Sequence, residues 1–180
     1  GRIAALDLAA PGSLAVWFSS TVLLLAAGVA LVVYTVRRHK KDDYQGHYRV
    51  WIWAAMCWLL LSVDQTAALR ESLAQVMILV TGTRLMGDGS MWWMIAYFFL
   101  LGGIGIRLLV DMRHCRLSSA AMVLGVAAYA VVVIVPFGWI PLSDPVRAVM
   151  VRQGAVMLGN LLFLLAMVLQ SRYVILDAEG

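Results

Sequence analysis

The sequence predicts an all-α integral membrane bundle of five transmembrane helices, with the N-terminus outside and the C-terminus cytoplasmic. Three observations lead there. Of the 180 residues, 63% are hydrophobic and only 13% charged, where soluble domains run at about 45–50% and about 25%; the mean hydropathy is +0.88. Apolar runs near the roughly 20 residues that a helix needs to cross a bilayer recur along the chain. The basic residues gather in alternate connections between those runs. This composition excludes an ordinary soluble enzyme, a disordered tail and a nucleic-acid-binding module. It leaves room for one membrane domain over residues 1–180 and for no second, soluble one.

Residues 1–10 carry Ile3, Leu6 and Leu8 with Arg2 and Asp7, a short interfacial segment broken by Pro11-Gly12. No cleavable signal or myristoylation pattern is expected there. Ser13 is the expected N-cap of a first span over about residues 14–36, because its hydroxyl can accept an orphan N–H of the first turn. Arg37-Arg38-His39-Lys40-Lys41 closes that span. The second covers about residues 50–66, with a helical extension to about 80 that is too polar to be a span of its own. Asp88-Gly89-Ser90 caps a third over about 91–112. Ser118 opens a fourth over about 118–138, closed around Pro136 and Gly138. Asp144-Pro145 starts the fifth, about 146–172: an acid at the cap followed by proline, which has no N–H to lose at the first helical position. The fifth reaches roughly 40 Å at 1.5 Å per residue, more than the hydrocarbon layer of roughly 30 Å, so it should tilt or protrude.

Orientation follows from charge. Arg37, Arg38, Lys40, Lys41, Arg49, Arg113, Arg116 and Arg172 fall on one side; Arg2, Arg70, Arg84 and Arg147 fall on the other, with Arg152 just inside the fifth helix. The richer side is cytoplasmic. Trp17, Trp92, Trp93 and Trp139 then mark the outer boundary and Trp51 and Trp53 the inner one, with only Trp58 deep.

Several chemistries lack their residues. His39, His47 and His114 all lie in loops, so no span offers an imidazole to haem. Lys40 and Lys41 also lie in a loop, so no Schiff base can form within the bilayer. His39, Asp42, Asp43, His47, His114 and Cys115 show no metal-ligand spacing, and neither a metal nor a cofactor is expected. Cys57 and Cys115 are too few for a disulfide framework.

Charges inside a bilayer are costly and are usually paired or face a cavity. Asp64 and Arg152 both fall in the outer third by depth, whereas Arg107 lies near the inner end and can snorkel out. Asp64 is therefore expected to pair with Arg152. Asp64, Glu71 and Gln75 share one helix face, so Asp64, Glu71, Gln75, Arg152 and Gln153 form a candidate polar intramembrane cluster. It reads either as an ion pair that fixes helix register or as an ion path; below Asp64 only Ser62 and Cys57 continue it, and Asn160 is the lone amide near mid-depth. Small residues allow close helix approach: Ala26 with Ala30, Ala121 with Gly125, and Gly102, Gly103 and Gly105 are the candidate packing positions.

The stretch Asp64-Gln65-Thr66-Ala67-Ala68-Leu69-Arg70-Glu71 resembles an acidic signature, D-E-x-x-x-L-H-E, of uncharacterised bacterial multi-pass membrane proteins. Asp64, Leu69 and Glu71 match; Gln65 and Arg70 replace an acid and a histidine, which weighs against metal binding by this stretch. The resemblance implies a multi-pass fold and brings no activity with it.

Three functions fit these residues. The first is a non-catalytic subunit of a larger assembly in the bacterial inner membrane, packed against lipids and against other membrane subunits or copies of itself. The second is a channel or transporter protomer using the region of Asp64 and Arg152. The third is an enzyme acting on lipid with Asp64 or Glu71 as acid or base.

Overall fold

The computed structural model describes residues 13–39, 48–67, 79, 90–134 and 145–179. Among them every regular element is an α-helix: α1 (Leu14–His39), α2 (Arg49–Ala67), α3 (Ser90–Asp111), α4 (Arg116–Ile134) and α5 (Pro145–Glu179). The extension expected over 68–80 lies outside the described residues except for position 79, as do 135–138 at the end of the fourth span.

Local chemistry sets the helix starts. The Val16 N–H donates to Ser13 Oγ at 3.4 Å, so Ser13 caps α1 as its position in the sequence implies. α5 begins at Pro145. α4 begins at Arg116, earlier than expected. Ser118 is not its cap: the Ser118 hydroxyl donates across to Ala166 O on α5 at 2.7 Å. α5 runs on to Glu179, past the expected end near 172. Arginine is a good helix former and suits a helix C-terminus, so Arg172 does not stop the helix. Val174, beyond it, is buried in the core. With 35 residues, α5 is about 52 Å long.

Among the described residues two helices, Leu14–His39 and Val146–Asp177, are long and apolar enough to cross a membrane; the apolar part of α4, Arg116–Val132, is shorter. α2 and α4 have 19 residues each, about 28 Å of helix.

Packing follows size more than polarity. On α1 the buried residues are Ala15, Ser19, Ser20, Val22, Leu23, Ala26, Ala27, Ala30 and Val33, a helical stripe made mainly of small side chains. Leu23 points into the core, while Trp17, Leu24, Leu25 and Leu31 point outward. α1 packs along α2 and along α5, α5 packs along α4, and α3 rests on α2. The row α3–α2–α1–α5–α4 closes on itself where a tight turn over 112–115 joins α3 to α4. There the Cys115 N–H donates to Met112 O at 2.9 Å. α1, α3 and α5 run one way and α2 and α4 the other: Arg37 at the end of α1 meets Asp111 at the end of α3, while Ser118 early in α4 meets Ala166 late in α5. One shared core contains Leu23, Trp51, Trp58, Leu108, Met112, Met122, Phe163 and Met167.

Candidate functional site

Three polar or close-packed arrangements hold the helices together. The first joins α1 and α2 through two serines that face each other. Ser20 Oγ and Ser62 Oγ are 2.8 Å apart. Each hydroxyl also reaches the other residue's carbonyl, Ser62 Oγ to Ser20 O at 2.9 Å and Ser20 Oγ to Ser62 O at 3.2 Å. Both side chains are buried, so the pair satisfies its own polar groups where water is excluded.

The second lies at the end of the bundle that carries the 112–115 turn. Asp111 on α3 forms an ion pair with Arg37 on α1. The same carboxylate oxygen accepts the indole N–H of Trp51 on α2 at 2.7 Å. Trp51 is fully buried. Three helices therefore meet on one carboxylate, and α3, which packs only sparingly elsewhere, is tied down by it. Trp51 sits at this end of the bundle with its ring turned into the core, and Asp111 supplies the partner that its N–H needs.

The third is the crossing of α4 and α5. A Cβ on Gly125 would lie 2.7 Å from Phe163 Cε1, and one on Gly159 would lie 2.7 Å from Tyr129 Cδ2. Each glycine thus receives a ring from the opposite helix, and only hydrogen at that position admits it. Phe163 packs tilted against Trp58 of α2 at 4.8 Å between centroids and stacks on Tyr129 at 5.5 Å. The Tyr129 hydroxyl donates to Asn160 Oδ1 at 2.5 Å. Asn160 is fully buried, and its Nδ2 has no partner among the described residues; the same holds for Trp58 Nε1, Ser19 Oγ and Gln170 Oε1.

Of the cluster expected from the sequence, Asp64, Arg152 and Gln153 fall among the described residues. Asp64 is buried and partnered. Arg152 is exposed and Gln153 half-buried, and no ion pair joins Asp64 to Arg152. Depth fixes only the position along the bundle axis; rotation about α5 carries Arg152 outward. Glu71 and Gln75 lie outside the described residues, as do Leu69 to Glu71 of the acidic signature. Among the packing positions, Ala26, Ala30 and Ala121 are buried in the core. Around Gly102, Gly103 and Gly105 an added Cβ would meet nothing within 4 Å, so these glycines make no close helix contact among the described residues.

Sequence reasoning missed Asp111, Gly159, the Ser20–Ser62 pair and the aromatic stack. The depth rule that singled out Asp64 would have found Asp111, since Arg37, Trp51 and Asp111 all fall at the same boundary. Among the described residues no group of three or more His, Cys, Asp or Glu gathers in a way that could hold a metal. The arrangements seen fix helices against one another.

No curated protein and no solved structure matches the chain. A family described as a domain of unknown function (DUF8692) matches residues 2–171, from the segment before α1 into the last turns of α5. The chain belongs to that family.

Proposed function

We propose that the chain is a five-span, non-catalytic subunit of a larger assembly in a bacterial inner membrane, with its N-terminus outside and its C-terminus cytoplasmic. One observation carries this reading: large apolar side chains stand exposed along the outside of the bundle, while small ones line the contacts of α1. Ala26 and Ala30 are wholly buried, while Leu24 and Leu25 are each 55% exposed and Trp53 56%. A soluble protein rarely leaves so continuous an apolar surface in water. In a bilayer lipid tails are as apolar as leucine, so helices associate through small residues and interhelical hydrogen bonds and leave large ones to the lipid. The Ser20–Ser62 pair and the Gly125–Gly159 crossing are contacts of that kind.

The alternating helix directions support termini at opposite membrane faces. The turn end carries Arg38, Arg49, Arg113 and Arg116, all exposed, and is the cytoplasmic end on charge. The interior contacts among the described residues serve packing, which supports a subunit more than a catalyst. Purification of the tagged chain in mild detergent tests it: partners in fixed ratio are expected, and a chain that always elutes alone and monomeric refutes the assembly role.

A channel or transporter protomer is the second reading, and the burial of Asp64 within the bundle favours it. It predicts ion flux through liposomes holding the chain alone and a change in that flux on Asp64→Asn; absence of flux removes it.

A further inference from the structure

α3 and α4 are consecutive and share a tight turn, yet they do not pack along their lengths. Their packed faces point elsewhere. Leu108 of α3 and Met112 in the turn belong to the common core. On α4, Gly125 and Ser118 contact α5. The two helices therefore form a wedge, closed at the turn and open along the bundle side. Apolar side chains are exposed on both helices over this depth: Ile106 and Val110 on α3, and Leu117 and Leu124 on α4. Gly102, Gly103 and Gly105 leave α3 slim over the same depth, with open space around each.

The closed end of the wedge is cationic. Arg113, His114 and Arg116 are exposed on and beside the turn. The Arg113 Nε–H donates to His114 Nε2 at 3.2 Å, which orders the two side chains together. Asp111, the nearby acid, is already engaged by Arg37 and Trp51. The turn thus keeps its positive charge.

We propose that this wedge binds an anionic phospholipid, with the phosphate between Arg113 and Arg116 and the acyl chains in the gap between α3 and α4. Charge complementarity selects the headgroup: guanidinium groups match phosphate in bidentate geometry. The apolar walls next to that cation pair select an amphiphile over a soluble anion. Anionic lipid is abundant on the cytoplasmic leaflet, the face on which basic residues gather. The inference rests on the membrane reading above.

The test uses the whole chain in nanodiscs of phosphatidylcholine, with and without phosphatidylglycerol, and reads the thermal midpoint. Phosphatidylglycerol is expected to raise the midpoint by about 5 °C at saturation. Arg113→Gln/Arg116→Gln should keep its midpoint in phosphatidylcholine, since both side chains are exposed, and lose the rise. Should that double variant fail to fold, each single variant is expected to lose part of the rise. The charge-matched control Arg38→Gln/Arg49→Gln should keep the rise. Equal loss in the control means diffuse surface charge and overturns the site. So does an equal rise with inorganic phosphate alone, which removes the need for acyl chains, and so does a rise that tracks dimerisation, which puts a second copy in the wedge. No rise at all also overturns it. A chain that stays in the aqueous phase without detergent sinks the membrane reading instead, so the two failures are distinct.

Discussion

Replacing Gly125 by alanine should loosen the α4–α5 crossing, while the same change at Gly103 should not. The added Cβ on Gly125 would sit 2.7 Å from Phe163 Cε1, 2.8 Å from Phe163 Cδ1 and 3.3 Å from Gly159 O. Carbon atoms prefer separations of about 3.5–4.0 Å, so roughly 1 Å must be found. The Phe163 ring cannot swing freely, because Trp58 and Tyr129 pack against it. The helices must part. A separation of that size stretches the 2.7 Å bond from Ser118 Oγ to Ala166 O beyond bonding distance. Overpacking of this kind costs about 1–3 kcal/mol, and an interhelical hydrogen bond in a membrane adds about 0.6. Alanine's better helix propensity returns at most about 1 kcal/mol. The net expectation is a loss of about 1–3 kcal/mol, and Gly159→Ala, which meets Tyr129 at 2.7 Å, should behave alike. Gly102→Ala, Gly103→Ala and Gly105→Ala meet nothing and should be neutral or slightly stabilising. The assay is reversible unfolding by denaturing detergent from mild micelles. Phe163→Leu should recover part of the Gly125→Ala loss, visible as coupling in a double-mutant cycle. Equal effects at Gly125 and Gly103, or a stabilising Gly125→Ala, would refute the reasoning.

Asp111→Asn removes the ion pair with Arg37 and weakens the acceptor for Trp51, at a cost of about 1.5–3 kcal/mol; a protease-protection assay should show α3 released first, and an unchanged pattern speaks against the anchor. Trp51→Phe keeps a ring in the core but leaves the carboxylate one donor short, and a smaller loss of about 1 kcal/mol is expected; a neutral variant in the same detergent titration contradicts the bond. Ser20→Ala and Ser62→Ala should each cost about 0.6–1.5 kcal/mol, with the double variant costing less than the sum because the contacts are shared; strict additivity counts against the pair. Asp64→Asn and Arg152→Gln should instead add within about 0.5 kcal/mol, since Arg152 is exposed and not paired with Asp64; strong coupling would restore the pairing that depth alone implies.

Helices were readable from local signals. Ser13 and Pro145 act within one turn of chain, and apolar runs interrupted by charge mark where helices exist. Helix rotation was not readable. In a chain that is apolar on every face, hydrophobic periodicity carries no inward direction, and Trp51 and Trp53 differ in the sequence by nothing that says one is fully buried and the other 56% exposed. The same gap misplaced Arg152, whose depth suited Asp64 but whose direction did not. Glycine spacing was equally mute: Gly125 and Gly103 both sit in apolar runs, and only the partner helix separates a close crossing from open space. The helix α5 runs beyond the span expected to about 172, because nothing in Tyr173–Glu179 breaks a helix.

The proposed topology requires a bilayer around these helices, crossed five times. Tags at the two ends, each probed with a membrane-impermeant reagent before and after permeabilisation, measure that most directly. Labelling of the N-terminal tag on intact cells, with the C-terminal tag protected until permeabilisation, is the predicted result; both tags reacting from the same face would contradict it.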